Sequence, residues 1–319
     1  MRAILSSRYG SPDALELREV EQPTPDPDRV LVRMHAASLN AMDKHMLRGT
    51  PRVMRPMMGG LRRPKDPRRG GDIAGVVEAV GADVTTVAVG DEVFGGCAGA
   101  FADYATPLAK NLVSKPANLT FDEAAAIPVA GVTALQALRD KGGLQPGQTV
   151  LINGAGGGVG TYLVQIAKAL GAGEVTAVCG PGSVELARAS GADRVVDYTQ
   201  EDFTKAGGPY DLIVDNAGTR PLRTLRKLLT PHGTCVAVGS VELRLHRLPL
   251  PWLYDKLVPQ SFRMLLASIN GDDLAVLARL AEQGELRPAV ERTYPLPETP
   301  EAYRHMNAGH IRGKLVIVP

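Results

Sequence analysis

Residues 150 to 160 read Val150-Leu151-Ile152-Asn153-Gly154-Ala155-Gly156-Gly157-Gly158-Val159-Gly160. An apolar run leading into five glycines within seven residues predicts a strand, a tight turn and the start of a helix. The first turn of a helix carries unpaired N–H groups and a partial positive charge, which suits a pyrophosphate. Small residues let the backbone approach that group closely. Ala155, Gly157 and Gly160 fall on the three spaced positions of a dinucleotide-binding turn, with Ala in place of the first glycine. Gly154, Ala155, Gly156, Gly157, Gly158, Val159 and Gly160 are therefore candidate cofactor contacts. About 20 residues further on, an acid would accept hydrogen bonds from the ribose of NAD. That position holds Cys179, followed by Gly180-Pro181-Gly182-Ser183. No acid opposes a 2′-phosphate here, which favours NADPH over NADH, although the loop holds no Arg or Lys to pair with it. Ser183 and Tyr198 are candidate donors; Tyr198 reads equally as a packed aromatic. Asn216 follows the run Leu212-Ile213-Val214-Asp215, at the sheet edge where ligands collect.

The elements that must position these residues alternate. Gln148 to Asn153, Glu174 to Cys179, Asp211 to Asp215 and Thr234 to Gly239 read as buried strands. Val159 to Leu170, Val184 to Ser190 (ending at Gly191) and Pro221 to Leu229 read as helices. This alternation predicts a doubly wound parallel sheet, an α/β domain of Rossmann type. The first third differs. Val30 to Met34 and Gly75 to Val80 are short β-branched runs between Pro, Gly and Asp, and Val87 to Phe94 has a turn between two apolar stubs, so a small β-rich domain is expected. Thr120 reads as the N-cap of a helix that starts the change of character. Asp273 to Gln283 reads as a late helix and Lys314 to Val318 as a closing strand. Leu243 to Phe262, with Trp252, Tyr254 and three prolines, reads as an irregular or lid-like piece, or as interface packing.

The bulk composition narrows the function class. At 319 residues, two domains are expected. A net charge of +2 is too near zero to argue for a polyanionic partner, so no nucleic acid is expected. Three widely spaced cysteines do not form a disulfide framework, and the N-terminus lacks an apolar leader. No apolar stretch reaches the ~20 residues of a membrane span, so a cytoplasmic protein is expected. Residues Arg52 to Arg69 hold seven basic side chains against Asp66 alone. That segment reads as a solvated surface loop, with RNA, membrane or partner binding as rivals. It has no aromatic residue on which a base would stack.

Further motifs appear in order: Ala37-Ser38-Leu39-Asn40-Ala41-Met42-Asp43, Gly71-Asp72-Ile73-Ala74-Gly75-Val76-Val77, Val89-Gly90-Asp91-Glu92-Val93, Ala125-Ala126-Ile127-Pro128 with Thr133-Ala134, Gly191-Ala192-Asp193, Asp197-Tyr198 and Arg312-Gly313-Lys314. With the glycine turn, they make the whole chain resemble the medium-chain dehydrogenase/reductase superfamily, in its zinc-free quinone oxidoreductase branch. The resemblance implies a GroES-like catalytic domain over 1–123, completed by 268–319, and a Rossmann domain over 124–267. It implies a homodimer, a small carbonyl or quinone substrate, and hydride transfer from NADPH to a quinone or α,β-unsaturated carbonyl. Zinc-dependent relatives carry Cys where Asn40 stands and His-Glu where Gly71-Asp72 stand. Catalytic zinc needs three side-chain ligands at once, and the six histidines form no close pair, so no metal is expected. The resemblance makes Asn40 the active-site asparagine. From the residues alone Asn40 reads as a loop side chain bonded to its own backbone, and Asp43, a match close to it, as a helix N-terminal charge. Thr133 matches a position beside the nicotinamide. Lys314 is either a cofactor contact or an exposed strand charge. Rival readings are an alcohol dehydrogenase-like or enoyl-thioester reductase activity, and a non-catalytic NADPH-binding protein.

Overall fold

Residues 1–50, 52, 55–56, 60–205, 207–238, 259–309 and 311–319 are described by a computed structural model. They divide into one unit of Met1–Val132 with Ile269–Pro319 and another of Thr133–Ser268. The strands are β1 (Arg2–Leu5), β2 (Glu16–Glu19), β3 (Val30–Leu39), β4 (Asp72–Val80), β5 (Glu92–Gly96), β6 (Tyr104–Ala105), β7 (Leu112–Ser114), β8 (Thr149–Asn153), β9 (Glu174–Cys179), β10 (Arg194–Asp197), β11 (Tyr210–Asp215), β12 (Leu229–Val238), β13 (Ser261–Leu265), β14 (Val290–Pro295) and β15 (Lys314–Val318). The helices used below are α1 (Ala41–Arg48), α2 (Phe121–Ala125), α3 (Pro128–Leu135), α4 (Gly158–Ala169), α5 (Val184–Ala189) and α6 (Leu222–Arg226).

The first unit is built on a seven-stranded sheet in the order β14-β15-β3-β4-β5-β7, with β6 also on β3. β3 lies between β15 and β4, antiparallel to both. Val30, Val32, Met34, Leu39, Ile73, Val77, Val93, Leu315 and Ile317 send their side chains into one core with Phe101 and Tyr303. Each such buried side chain contributes roughly 1.5–3 kcal/mol of burial free energy. That driving force holds the last strand of the chain against a strand from its beginning.

The second unit is a six-stranded parallel sheet ordered β10-β9-β8-β11-β12-β13. Counted from β8, this is the 3-2-1-4-5-6 order of a doubly wound dinucleotide-binding sheet. Val150, Leu151, Ile152, Ile213 and Val214 are fully buried, which is why these strands read as unbroken apolar runs. The order reverses between β8 and β11, so the loops after those two strands flank the switch point, where ligands bind in such sheets.

Three expectations change. The helix expected over 221–229 stops at Arg226, because Leu228 and Leu229 are buried and Leu229 already opens β12 beside Tyr210. The expected strand end Gly239 and residues 240–258, with Trp252 and Tyr254, lie outside the described residues. Ser261 and Phe262 belong to β13, paired with Thr234 and Cys235, and not to an irregular segment. The basic segment is only partly a solvated loop. Arg55 lies 4.5 Å over the Tyr9 ring and donates to Gly49 O at 2.8 Å. Arg68 pairs with Asp66 at 2.7 Å, and Arg69 is buried. Arg52, Arg62, Arg63 and Lys65 are exposed.

All three cysteines are free thiols. Among the described residues, no helix is long and apolar enough to cross a membrane.

Thr120 does cap α2: its Oγ1 accepts from Glu123 N at 3.2 Å, and Glu123 Oε2 accepts from Thr120 N at 2.9 Å. Thr120→Ala is expected to lower the unfolding free energy by about 1 kcal/mol in urea titrations while leaving nucleotide affinity unchanged.

Candidate active site

The glycine turn joins β8 to α4 at the switch point of the second unit. Gly154 takes φ +92°, a left-handed conformation open to glycine, and carries the chain out of β8. Its N–H and that of Ala155 both donate to Val178 O, at 3.0 and 2.9 Å. Gly157 is the N-cap of α4 and offers no side chain to the first turn. A Cβ at Gly157 would point into open space, whereas one at Gly160 would stand 2.2 Å from Gly154 O. Gly158, Val159 and Gly160 open the helix, so their N–H groups face outward without intrahelical acceptors. The turn is thus a backbone cradle with its donors free, and its residues fit the pyrophosphate of a dinucleotide.

The neighbouring loops close on this turn. Ser183 is buried, and its Oγ stands 2.4 Å from where a Gly156 Cβ would be. Asn216 donates from Nδ2 to Gly154 O at 3.3 Å. Beneath the turn, Asn153 Nδ2 donates to the buried Asp215 Oδ1 at 2.9 Å, and Gly218 N donates to the same oxygen at 2.8 Å. Tyr198 is 51% exposed, so it is not the packed aromatic that was one of its two readings; its hydroxyl lies 3.0 Å from the Cβ position of Gly180. At the end of β9, Cys179 pairs in register with Asp197 of β10. The Asp197 carboxylate is engaged by Thr199, whose N–H and hydroxyl donate to it at 2.9 and 2.8 Å. Burial pushes the Cys179 thiol up to about 11. Thr133, on α3, is the first residue of this unit and is buried.

In the first unit, three neighbouring strand ends gather a polar cluster. The register that pairs Leu315 with Leu39 continues to set Lys314 beside Asn40, and Ser38 pairs with Asp72. Asp72 is fully buried and accepts on Oδ2 from Ser38 Oγ (2.7 Å), Asn40 Nδ2 (2.8 Å) and Lys314 Nζ (3.4 Å). Its Oδ1 accepts from Val129 N at 2.9 Å. Lys314 Nζ donates to Asn40 Oδ1 at 2.5 Å. Lys314 is 3% exposed, which excludes the exposed strand charge that was one of its two readings. Burial pulls its pKa down, while the carboxylates of Asp72 and Asp43 push it back up. Asn40 is likewise more than a loop side chain bonded to its own backbone: it is the N-cap residue of α1, and its amide bridges Lys314 and Asp72.

Asp43 sits one turn into α1 and accepts from Asn40 N at 2.8 Å, so it is indeed a helix N-terminal acid, but a buried one. Burial pushes its carboxyl up to about 7, with the Asp72 charge adding to the shift and the Asn40 N–H, Lys314 and Arg69 opposing it. Arg69 is 3% and Tyr303 0% exposed; both lie close enough to exchange charge effects with Asp43. Asp72, Ser38, Arg69 and Tyr303 were not picked out from the sequence. Only Asp72 carried a signal there, as the residue that stands where zinc-dependent relatives carry a ligand. Among the described residues, no group of three His, Cys, Asp or Glu is placed to hold a metal ion.

The raised Asp43 pKa has a definite stability consequence. Between its ordinary 3.8 and about 7, the folded chain holds a proton that the unfolded chain releases. Stability therefore falls as pH rises through that window and levels off above it, by on the order of 4 kcal/mol in all. Asp43→Asn keeps an oxygen for the Asn40 N–H and has no proton to lose. Urea unfolding at pH 5 and pH 8 should show wild type losing stability relative to Asp43→Asn; parallel pH dependences would contradict the assignment.

Two family descriptions match this chain: an alcohol dehydrogenase GroES-like domain over residues 26–117 and a zinc-binding dehydrogenase domain over residues 190–317. The chain is 33% identical to the chloroplastic quinone-oxidoreductase QR1 of Triphysaria versicolor, across 100% of this chain and 98% of that protein. It is 32% identical to the 2-methylene-furan-3-one reductase of Solanum lycopersicum, across 100% of this chain and 79% of that one. Among solved structures, the quinone oxidoreductase of Coxiella burnetii is similar with a TM-score of 0.88 at 29% identity, covering 100% of this chain and 99% of that one. A mycobacterial protein solved with NADPH is similar with a TM-score of 0.85 at 25% identity, covering 100% of both. The chain belongs to the medium-chain dehydrogenase/reductase superfamily, in its quinone oxidoreductase-like branch.

Proposed function

We propose that this protein is an NADPH-dependent oxidoreductase that transfers hydride to a quinone or an α,β-unsaturated carbonyl without zinc. The observation that carries the reading is the uncapped glycine turn between β8 and α4, followed at the end of β9 by Cys179 and a loop without a carboxylate. The relatives support it: one is named for a quinone, one for an enone, and a structural neighbour holds NADPH.

A zinc ion does not fit the residues present. Gly71 has no side chain, and both oxygens of Asp72 are already taken up by Ser38, Asn40, Lys314 and the Val129 N–H. An ammonium group, not a vacancy, faces that carboxylate. The polarising role therefore falls to hydrogen bonds.

Bound NADPH supplies a hydride, and the substrate takes it up with a proton to give a hydroquinone or a saturated carbonyl. The N–H groups opening α4 hold the pyrophosphate, and Ser183 walls the turn beside Gly156. Asn40 offers an amide N–H to the substrate oxygen, where negative charge builds as hydride arrives; one such positioned donor is worth ~10²–10³ in rate. Asp43 holds the Asn40 N–H from behind and keeps α1 aligned.

Oxidation of NADPH with 1,4-benzoquinone and with an enone tests the reading. Turnover with NADPH preferred over NADH, unchanged by a strong chelator, is expected; loss of turnover on chelation would overturn it. Gly156→Ala should weaken NADPH binding at least about tenfold in a fluorescence titration, because its Cβ meets Ser183. Adding Ser183→Gly should restore most of that affinity.

A further inference from the structure

We infer that Lys314 is a positioning residue of the active site, a built-in cation that fixes which end of the Asn40 amide is offered to the substrate. The inference rests on the reading of Asn40 as the carbonyl partner. It goes beyond that reading by assigning the orientation of the amide to the last strand of the chain.

An asparagine side chain has one acceptor oxygen and two N–H donors that are nearly equal in shape. Its usefulness to a carbonyl depends on which end faces out. Here the oxygen is held by the Lys314 ammonium at 2.5 Å, and one N–H is held by the Asp72 carboxylate at 2.8 Å. A contact from Nδ2 to Ser38 O is 3.5 Å, too long to hold the second N–H firmly. The amide therefore keeps one donor in reserve and no acceptor.

Lys314 and Asp72 supply the two ends of this clamp from strands on either side of β3. Both are almost fully buried, at 3% and 0% exposure, so neither charge is screened by water. A charge-assisted hydrogen bond in such surroundings is shorter and stronger than a neutral one. Removing the ammonium alone leaves a buried carboxylate without a cation, a costly arrangement. It also frees the amide oxygen, so the amide can turn and present an acceptor where a substrate carbonyl needs a donor. The Asp43 side chain holds the backbone N–H of Asn40 and not its amide, so it cannot replace Lys314.

The test separates positioning from charge balance. Lys314→Met alone is expected to lose both stability and activity. The double variant Asp72→Asn with Lys314→Met removes both charges and is expected to regain wild-type stability. It should nevertheless keep a kcat roughly 10²-fold below wild type, with the NADPH dissociation constant within twofold. A double variant that recovers full kcat would show that Lys314 only balances Asp72, and would overturn the inference. A second readout needs no turnover. The Asn40 side-chain amide, assigned by its loss in Asn40→Asp, should give one slowly exchanging N–H in nitrogen-15 spectra of wild type and none in the double variant. Identical amide signals in both proteins would also overturn the inference. If wild type reduces neither quinone nor enone, the proposed function fails, and the amide spectra still decide the role of Lys314.

Discussion

The Asp72 carboxylate is fully buried and is met by four donors from four different parts of the first unit: Ser38 of β3, Asn40 at the start of α1, Val129 of α3 and Lys314 of β15. A buried charge is tolerated only when it is paired and its lone pairs are filled. Each donor therefore constrains the others, and the three strand ends cannot slide without orphaning one of them. A slip of one residue in β15 would send Lys314 to the opposite face of the sheet. The ends of β3, β4 and β15, the start of α1 and one end of the Asn40 amide all meet at this one carboxylate.

The two units solve different chemical problems with different materials. In the second unit the glycine turn presents backbone N–H donors, and its side chains are small or absent so that the backbone can be approached. The supporting structure there is a sheet of largely apolar strands, with the buried Asn153–Asp215 pair beneath the turn. In the first unit the buried polar cluster holds a side-chain amide, whose rotational freedom its partners restrain. Restraint comes from buried polar pairs, and these bring their own titrations. The raised carboxyl of Asp43 is the clearest case: the same burial that makes the Asn40 N–H bond firm also penalises the charge that accepts it.

Where zinc-dependent relatives carry a His-Glu pair, this chain has Gly71 and the buried Asp72, with the Lys314 ammonium beside it. A zinc ion polarises a carbonyl directly as a Lewis acid. The Lys314 ammonium is instead bonded to the Asn40 amide oxygen at 2.5 Å and lies 3.4 Å from the Asp72 carboxylate.

What could be read from the sequence and what could not divides along physical lines. The glycine turn was legible because its geometry is a local event: strand, turn and helix start lie within eleven consecutive residues. The parallel sheet was legible because strands buried on both faces must be continuously apolar. Thr120 and Gly191 were legible because caps are set by their own neighbours. The short α6 and the early start of β12 were not, since Leu228 and Leu229 are equally at home in a helix or a strand until the core claims them. Asn40, Asp43 and Lys314 were visible as residues, through the resemblance of their motifs, but not as a cluster. Asp72 was visible only as the residue that stands where zinc-dependent relatives carry a ligand. Asn40 and Lys314 are 274 positions apart, and only the pairing of a last strand with an early one brings them within 2.5 Å. The sequence by itself determined the glycine turn and the two kinds of unit, because those follow from local pattern and composition. The tertiary structure decided which polar residues share a buried site, because that follows from strand register, which no single stretch of the chain encodes.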